Sequence, residues 1–291
     1  MKVCFVADVP GWAFDAWASR LTPFFPGAVT AYRFQSLRAL LARETPPDYR
    51  LPDADVYLHA SWWFLWDALR LGTALPPHAR HVAVVADAYA PLRSPAAYAC
   101  AAMRADVLLT QVPGVADALF VPFPVPQAHL DRKRRPRAPD GHLRVGMVAN
   151  GWRHTGADHK GVGLAREVAA GLPWCLLEVA GTDRLLPSED MPAWYAGLDV
   201  FLTLSVSEGF SNATADALAL GCPVIGTPVL PLEPWCSGGY LPVSRDAERV
   251  ATALTYAWMT VQTGDVLPTC RAVAREWAAE RVAEQIRKAL T

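Results

Sequence analysis

A single carboxylate next to a turn-forming sequence stands out in residues 205–226, which read SVSEGFSNATADALALGCPVIG. Glu208 follows an apolar strand pattern, DVFLTLS, and precedes Gly-Phe-Ser and an amphipathic helical pattern. The first turn of a helix presents free backbone N–H groups and the positive end of its dipole, so the turn formed by residues 209–212 predicts an anion site. Glu208 could not pair with an anion held there, and is better suited to accept hydrogen bonds from sugar hydroxyls.

Two cationic side chains in another segment could complete such a site. Arg153 and Lys160 lie in NGWRHTGADHKG, which follows the strand pattern LRVGMVAN. Together with the helix N-terminus they could hold a diphosphate and stabilise the charge that develops on it as a leaving group. Asp216, two turns into the helix, could accept hydrogen bonds from a ribose diol. A nucleoside diphosphate sugar would satisfy all of these features.

Strand and helix patterns alternate along the chain, as in open parallel α/β sheets. The alternation runs from KVCFVAD to DVLLTQ, stops at residues 126–142, and restarts at LRVGMVAN. The interrupting segment is rich in Pro and Arg and lacks periodicity, which predicts a linker. We therefore predict two Rossmann-like, doubly wound domains facing a cleft, at residues 1–125 and 143–271.

Loops that follow strands are the candidate ligand contacts, because ligands of these sheets bind beyond the carboxyl ends of the strands. Gly11, after the first strand, would let the backbone approach a donor, and Thr182 occupies a matching place in the second domain. The acceptor candidates of the first domain share this strand-end position and are Trp12, His59, Trp62 and Asp87. The segment SWWFLWD, which contains Trp62, could equally be core packing, since aromatic side chains dominate cores.

The stretch SVSEGFSNATADALALGCPVIGT resembles the signature of family 4 of the retaining glycosyltransferases, which have the GT-B fold. It has Glu-Gly-Phe, a second acidic residue eight positions after Glu208, and Ala-x-Ala-x-Gly-x-Pro-Val. AWYAGLDVFLTLS and GMVANGWRHTGADHKG resemble two further segments of that family, so the likeness spans residues 144–228. It implies that Arg153 and Lys160 bind the diphosphate, Glu208 the donor sugar and Asp216 the ribose. The other implied donor contacts are the turn residues Gly209, Phe210, Ser211 and Asn212.

Three features depart from the family pattern. Asp216 stands where the family usually has Glu, one methylene longer, and the interval between Arg153 and Lys160 is longer than usual. The family often has a His near the donor sugar in its first domain, and the strand-end candidates here are His59 and Asp87. The resemblance also implies that the C-terminal helix, residues 272–291, packs back on the first domain.

The implied activity is transfer of a hexosyl or pentosyl group from a nucleotide diphosphate sugar to an acceptor hydroxyl, with retention of anomeric configuration. A UDP-sugar is the favoured donor, and no cofactor or metal ion is expected. The acidic pair Asp53 and Asp55 precedes a strand and is interpreted as an exposed turn instead of a metal site. Two alternatives stay open: a nucleotide-sugar-binding protein without catalysis, and a sugar epimerase of the same fold.

The cysteines, the charged residues and the lengths of the apolar runs indicate which cellular compartment and which acceptor to expect. The six cysteines are scattered without a C-x-x-C pair, which is typical of a reduced, cytoplasmic protein, and no apolar run is long enough to span a membrane. The basic run RKRRPR at residues 132–137, beside the tryptophan-rich loops, suggests a hydroxymethylated DNA base as one acceptor. The net charge of -1 favours a glycan, a lipid or a small alcohol instead.

Overall fold

The chain divides into two compact units in the computed structural model. Residues Met1–Pro124 and Trp277–Thr291 form the first unit, and Val125–Glu276 form the second. The C-terminal helix thus belongs to the first unit. The structure describes residues 1–10, 13–36, 38–39, 49–72, 75–86, 94–112, 115, 117–132, 139–149, 158–228, 239–265, 267 and 274–291.

The first unit is built on a six-stranded parallel sheet in the order β2-β1-β3-β4-β5-β6. Its strands are β1 (Val3–Ala7), β2 (Val29–Tyr32), β3 (Val56–His59), β4 (Arg80–Val85), β5 (Val107–Thr110) and β6 (Leu119–Phe120). The first five correspond to predicted strands, because each is an apolar run bounded by turn residues. The two-residue edge strand β6 is too short to leave a periodic signal.

Helices of the first unit follow the predicted alternation. They are α1 (Ala13–Leu21) with a 3₁₀ turn at Thr22–Phe24, α2 (Trp62–Arg70), α3 (Pro95–Arg104) and the C-terminal α9 (Ala279–Leu290). Helix α9 packs beside α1 through an apolar face that includes Val282, Ala283 and Ile286. The helical pattern SLRALLAR falls largely outside the described residues.

The second unit has a five-stranded parallel sheet in the order β11-β10-β9-β7-β8. Its strands are β7 (Leu143–Val148), β8 (Cys175–Ala180), β9 (Val200–Thr203), β10 (Val224–Gly226) and β11 (Tyr240–Pro242). Its helices are α4 (Gln127–Asp131), α5 (Val162–Ala170), α6 (Met191–Gly197), α7 (Asn212–Ala219) and α8 (Ala247–Gln262). A 3₁₀ turn at Arg275–Trp277 spans the point where the chain leaves this unit. The two parallel sheets confirm the predicted fold class.

The segment predicted as a linker contains an ordered helix of the second unit. Helix α4 occupies Gln127–Asp131 and packs beside α7. Most of the basic run, residues 133–137, lies outside the described residues. The boundary between the units therefore falls at Pro124 and Val125, at the start of the predicted linker.

Polar side chains are buried at the carboxyl end of the first sheet. Asp8 follows β1 and is 3% exposed, and its Oδ1 has no hydrogen-bond partner among the described residues. Burial raises the pKa of this carboxyl to about 6, and the nearby charge of Asp15 adds to the effect. Arg33, after β2, is equally enclosed and lies 3.5 Å from Asp67. The folded state consequently keeps a proton on this carboxyl up to a higher pH than the unfolded chain does.

Asp8→Asn should therefore change the dependence of stability on pH. Between about pH 4 and 6 the folded wild type retains a proton that the unfolded chain has lost, so its free energy of unfolding falls as pH rises. Asparagine does not titrate, so the stability of the variant relative to wild type should increase by about 2 kcal/mol from pH 4.5 to 7.5. Urea unfolding at a series of pH values measures this, with the exposed Asp55→Asn as control. Parallel profiles for wild type and Asp8→Asn would contradict it.

Candidate functional site

The second sheet changes its direction of winding at β7, and the predicted site lies there. Strand β7 pairs with β8 on one side and with β9 on the other. The chain therefore adds β8 at one side of β7 and then crosses to the other side to add β9, β10 and β11. Loops that leave two such neighbouring strands separate at their carboxyl ends and leave a crevice where ligands bind. Lys160 lies between β7 and α5, and Glu208 lies between β9 and α7.

Lys160 and Glu208 meet in this crevice. The ammonium Nζ of Lys160 forms an ion pair with Oε1 of Glu208. The hydroxyl of Ser205 donates to the same oxygen at 2.5 Å. Oε2 of Glu208 takes no hydrogen bond within the described part of the chain. The side chains are 21% and 12% exposed respectively, so the pair is partly shielded from water yet open to a ligand.

The loops that carry this pair are joined by hydrogen bonds between their backbones. The N–H of Val206 donates to the carbonyl of His159 at 2.9 Å. The ring Nε2 of His159 lies 3.0 Å from the carbonyl oxygen of Ser207, which can only accept, so Nε2–H is the donor. His159 was missed by the sequence analysis, since its only signal was its place next to Lys160.

Gly161 sets the distance between the two loops. Its φ is +76°, a conformation that favours glycine, and it caps the N-terminus of α5. A Cβ at this position would lie 2.5 Å from Cβ and 2.6 Å from the carbonyl oxygen of Leu204, at the end of β9. The backbone therefore approaches Leu204 as closely as only glycine allows, which places Lys160 opposite Glu208.

The N-terminus of α7 lies directly after Glu208. Phe210 is 2% exposed and anchors the turn, and Ser211 adopts φ +51° as the N-cap residue. The Ser211 hydroxyl lies 2.9 Å from that of Thr214 and does not cap the helix. The first N–H groups of a helix have no intrahelical acceptor, and no cap side chain occupies those that begin at Asn212. The anion site predicted for the Gly209–Asn212 turn stays a prediction, and these N–H groups carry no side-chain cap that would compete with an anion.

Asp216 lies further along α7 and is largely buried. Its Oδ1 is 3.2 Å from Nδ1 of His129 in α4, and the two side chains are 11% and 12% exposed. The sequence offers no signal for His129, because the segment around it has the composition of a linker. Thr182, after β8, donates its hydroxyl to the carbonyl of Ala149 at 2.8 Å, which ties the end of β7 to the loop after β8.

Two of the residues predicted to contact the acceptor, His59 and Trp62, are buried in the first unit. His59 is 1% exposed, and its Nε2 lies 3.2 Å from Nδ1 of His81, so a contact with an acceptor or donor sugar is not available to it. Burial and the neighbouring His81 lower the pKa of His59 to about 3. Trp62 is 5% exposed and packs among Leu65, Ala83 and their neighbours, which corrects its proposed acceptor role in favour of core packing.

Some predicted residues lie outside the described part of the chain: Gly11, Trp12, Asp87 and Arg153. Within the described residues, no three His, Cys, Asp or Glu side chains converge in an arrangement that could hold a metal ion. The acidic pair Asp53 and Asp55 lies exposed before β3, with side chains 83% and 63% accessible, as its interpretation as a turn predicted. No helix in the described ranges is both long and apolar enough to cross a membrane.

Comparison with known proteins identifies the fold. Residues 163–258 match the family described as Glycosyl transferases group 1. HepE from Anabaena, crystallised with UDP-glucose, is similar over 100% of this chain and 99% of its own, with a TM-score of 0.72 and 14% identity. Sucrose-phosphate synthase from Thermosynechococcus elongatus is similar over 99% and 98%, with a TM-score of 0.72 and 14% identity.

A third structure extends the likeness. The lipopolysaccharide outer core galactosyltransferase WaaB, in its apo form, matches over 100% of this chain and 99% of its own, with a TM-score of 0.62 and 13% identity. No curated protein matches the sequence. At such identities the likeness concerns the fold, and the two parallel α/β units have the GT-B fold.

Replacement of Gly161 by Ala should disrupt the site. The added methyl group meets the backbone of Leu204 and forces a positive φ on alanine, so the free energy of unfolding should fall by about 2–4 kcal/mol. Gly171→Ala, at the other end of α5, is the matched control, because its φ is -81° and the nearest atom to its added Cβ is 3.5 Å away. Urea denaturation of both variants measures the difference. Equal stability of the two variants would show that Gly161 does not set the loop spacing.

Proposed function

We propose that the protein is a glycosyltransferase that takes its sugar from a nucleotide diphosphate donor, with a UDP-sugar favoured. The observation that carries the proposal is the pairing of Lys160 with Glu208 at the crevice beside β7, next to the uncapped N-terminus of α7. A cation and a set of N–H donors stand next to a carboxylate there, which suits a ligand with a diphosphate at one end and hydroxyl groups close to it.

The diphosphate would lie between Lys160 and the first turn of α7. An ammonium group has three donors, so Lys160 can keep its bond to Glu208 and still donate to a phosphate oxygen. The N–H groups that begin at Asn212 add further donors and the positive end of the helix dipole. Arg153 is proposed as a second cation on the same loop as Lys160. Gly209, Phe210 and Ser211 would shape the turn around the phosphates.

Glu208 would bind the transferred sugar. Its Oε1 is taken by Lys160 and Ser205, whereas Oε2 has no partner in the described ranges and can accept a sugar hydroxyl. Asp216 would accept from the ribose, about one turn along α7. Thr182 would line the nucleotide side of the crevice mainly through its backbone, because its hydroxyl is committed to Ala149. Gly11 is proposed to approach the donor from the loop after β1.

The proposed reaction retains the configuration of the anomeric carbon, as the family 4 resemblance implies. The bond between the anomeric carbon and the β-phosphate oxygen breaks, and a bond to the acceptor oxygen forms on the same face. The proton of the acceptor hydroxyl passes to the departing diphosphate, so the products are the glycoside and the nucleoside diphosphate. Proton NMR of the fresh product reads the anomeric configuration, and an inverted product would rule this route out.

The acceptor is proposed to be a hydroxyl group of a glycan, a lipid or a small alcohol. The net charge of -1 offers no general attraction to nucleic acid. Trp62, which suggested a platform for a flipped DNA base, is core. Hydroxymethylated DNA stays an acceptor to be assayed at low and high salt, where salt-sensitive binding and transfer would favour it. The scattered cysteines support a cytoplasmic location.

Substitution of the paired residues should separate binding from chemistry. Lys160→Ala removes the phosphate donor and leaves Glu208 unneutralised beside the donor, so kcat/KM should fall by about 10²- to 10³-fold with weaker donor binding. Glu208→Gln should lower kcat by at least about tenfold while the Kd of the nucleotide stays within about threefold. Donor hydrolysis and calorimetric titration with UDP-glucose and other nucleotide sugars measure these effects, and Lys288→Ala is the control on an exposed lysine. Wild-type turnover in both variants would show that the site lies elsewhere.

No divalent metal ion should be required. Lys160, Arg153 and the helix N-terminus are proposed to supply the positive charge that a metal ion would otherwise provide. Dialysis against EDTA should therefore leave donor turnover within about twofold of its original rate, because charge stabilisation of the leaving group persists. Activity lost in EDTA and restored by magnesium or manganese would refute this proposal.

A further inference from the structure

His129 lies against the carboxylate that is proposed to bind the ribose. It belongs to the short helix α4, which packs beside α7, the helix that carries Asp216. The ring Nδ1 of His129 is 3.2 Å from Oδ1 of Asp216. With side chains 12% and 11% exposed, both groups have lost most of their contact with water. Direct hydrogen bonds therefore decide how this carboxylate is oriented.

A carboxylate in such surroundings depends on its donors. A charged group removed from water must be compensated by hydrogen bonds or an opposite charge, and an ionised carboxylate can only accept. With Asp216 ionised, Nδ1–H of His129 is the donor, and a hydrogen bond to a charged group is stronger than one between neutral groups. Loss of that donor would remove a contact that fixes the orientation of the carboxylate.

We infer that His129 is a positioning residue of the donor site, which holds the Asp216 carboxylate in the orientation that receives the ribose hydroxyls. The inference rests on the proposed function, because it assigns a role to Asp216 in nucleotide binding. It also assigns a role in the donor site to the segment at the start of the second unit, which the sequence pattern indicated as a linker. His129 itself touches Asp216 and acts on the nucleotide through it.

The inference distinguishes two parts of the same ligand. Lys160 and the N-terminus of α7 would bind the diphosphate, whereas Asp216 and His129 act only on the ribose. Substitution at His129 should therefore weaken a nucleoside diphosphate and leave inorganic pyrophosphate unaffected. Lys160→Ala should weaken both ligands. A general disturbance of the second unit would lower the affinity for both ligands together, which separates positioning from a purely structural role.

The test uses variants of the full chain that differ in where residue 129 places a hydrogen-bond donor. His129→Phe keeps a ring but has no hydrogen-bond donor. His129→Gln places an amide N–H nearer the position of Nε2 than that of Nδ1. His129→Asn places an amide N–H at the position of Nδ1 and is the rescue variant. Gln127→Ala, which removes an exposed side chain of the same helix bonded to Asp131, is the matched control. Calorimetry with UDP, GDP, ADP, CDP and dTDP identifies the nucleotide that the wild type binds best, and that nucleotide and pyrophosphate are then compared.

We expect His129→Phe and His129→Gln to bind this nucleotide about 10- to 100-fold more weakly, with pyrophosphate within about twofold. His129→Asn and Gln127→Ala should bind it within about threefold of wild type. When Asp216 is already replaced by Ala, His129→Phe should not lower the affinity for the nucleotide further, because His129 acts through Asp216.

Unchanged nucleotide affinity in His129→Phe and His129→Gln, with a loss in Asp216→Ala, would overturn the inference and leave the proposed function standing. Equal losses for nucleotide and pyrophosphate would also overturn it. If His129→Phe does not fold, the Gln and Asn variants decide the question by the same comparison. Failure of the wild type to bind any nucleotide would instead refute the proposed function itself.

Discussion

The partly buried ion pair between Lys160 and Glu208 is the interaction on which the proposed donor site depends. Charges taken out of water are costly unless close partners compensate them. Here the ammonium of Lys160 and the hydroxyl of Ser205 both contact the carboxylate of Glu208. That arrangement requires the loops after β7 and β9 to approach closely. Gly161 allows the approach, and the bonds of His159 to the second loop maintain it. The pair thus fixes the spacing at which a diphosphate and a sugar can be held side by side.

The parallel sheet explains why such a pair can form between residues 48 positions apart in the sequence. Every strand of the second sheet runs in the same direction, so the ends of β7 and β9 meet at one edge. The reversal of winding at β7 opens a crevice at that edge, and the helices on either side contribute their N-termini to it. The fold therefore supplies the position and the positive helix end, whereas the side chains supply the chemistry.

Much of this arrangement could be predicted from the sequence, because its signals are local. Apolar runs bounded by turn residues located nine of the strands now seen, and the residues just beyond two of them identified Lys160 and Glu208. The two short edge strands β6 and β11 left no periodic signal. Helix α4 was hidden in a proline- and arginine-rich segment, so its contact with α7 and the role inferred for His129 could not be predicted.

Contacts that depend on tertiary packing could not be predicted from the sequence either. The burial of His59 against His81, and of Trp62 in the core, follows from neighbouring strands and helices that no local pattern specifies. The same holds for Asp8, whose desolvated carboxyl lies after β1 in the first unit. A strand-end position indicates where a ligand could bind, but only the packing around a side chain decides whether the ligand can reach it.

A crystal structure of the protein with its intact nucleotide sugar tests the central claim most directly. We expect the diphosphate between Nζ of Lys160 and the first N–H groups of α7, with a hydroxyl of the sugar on Oε2 of Glu208. A nucleotide sugar bound elsewhere, with the Lys160–Glu208 pair in contact with no part of it, would contradict the account.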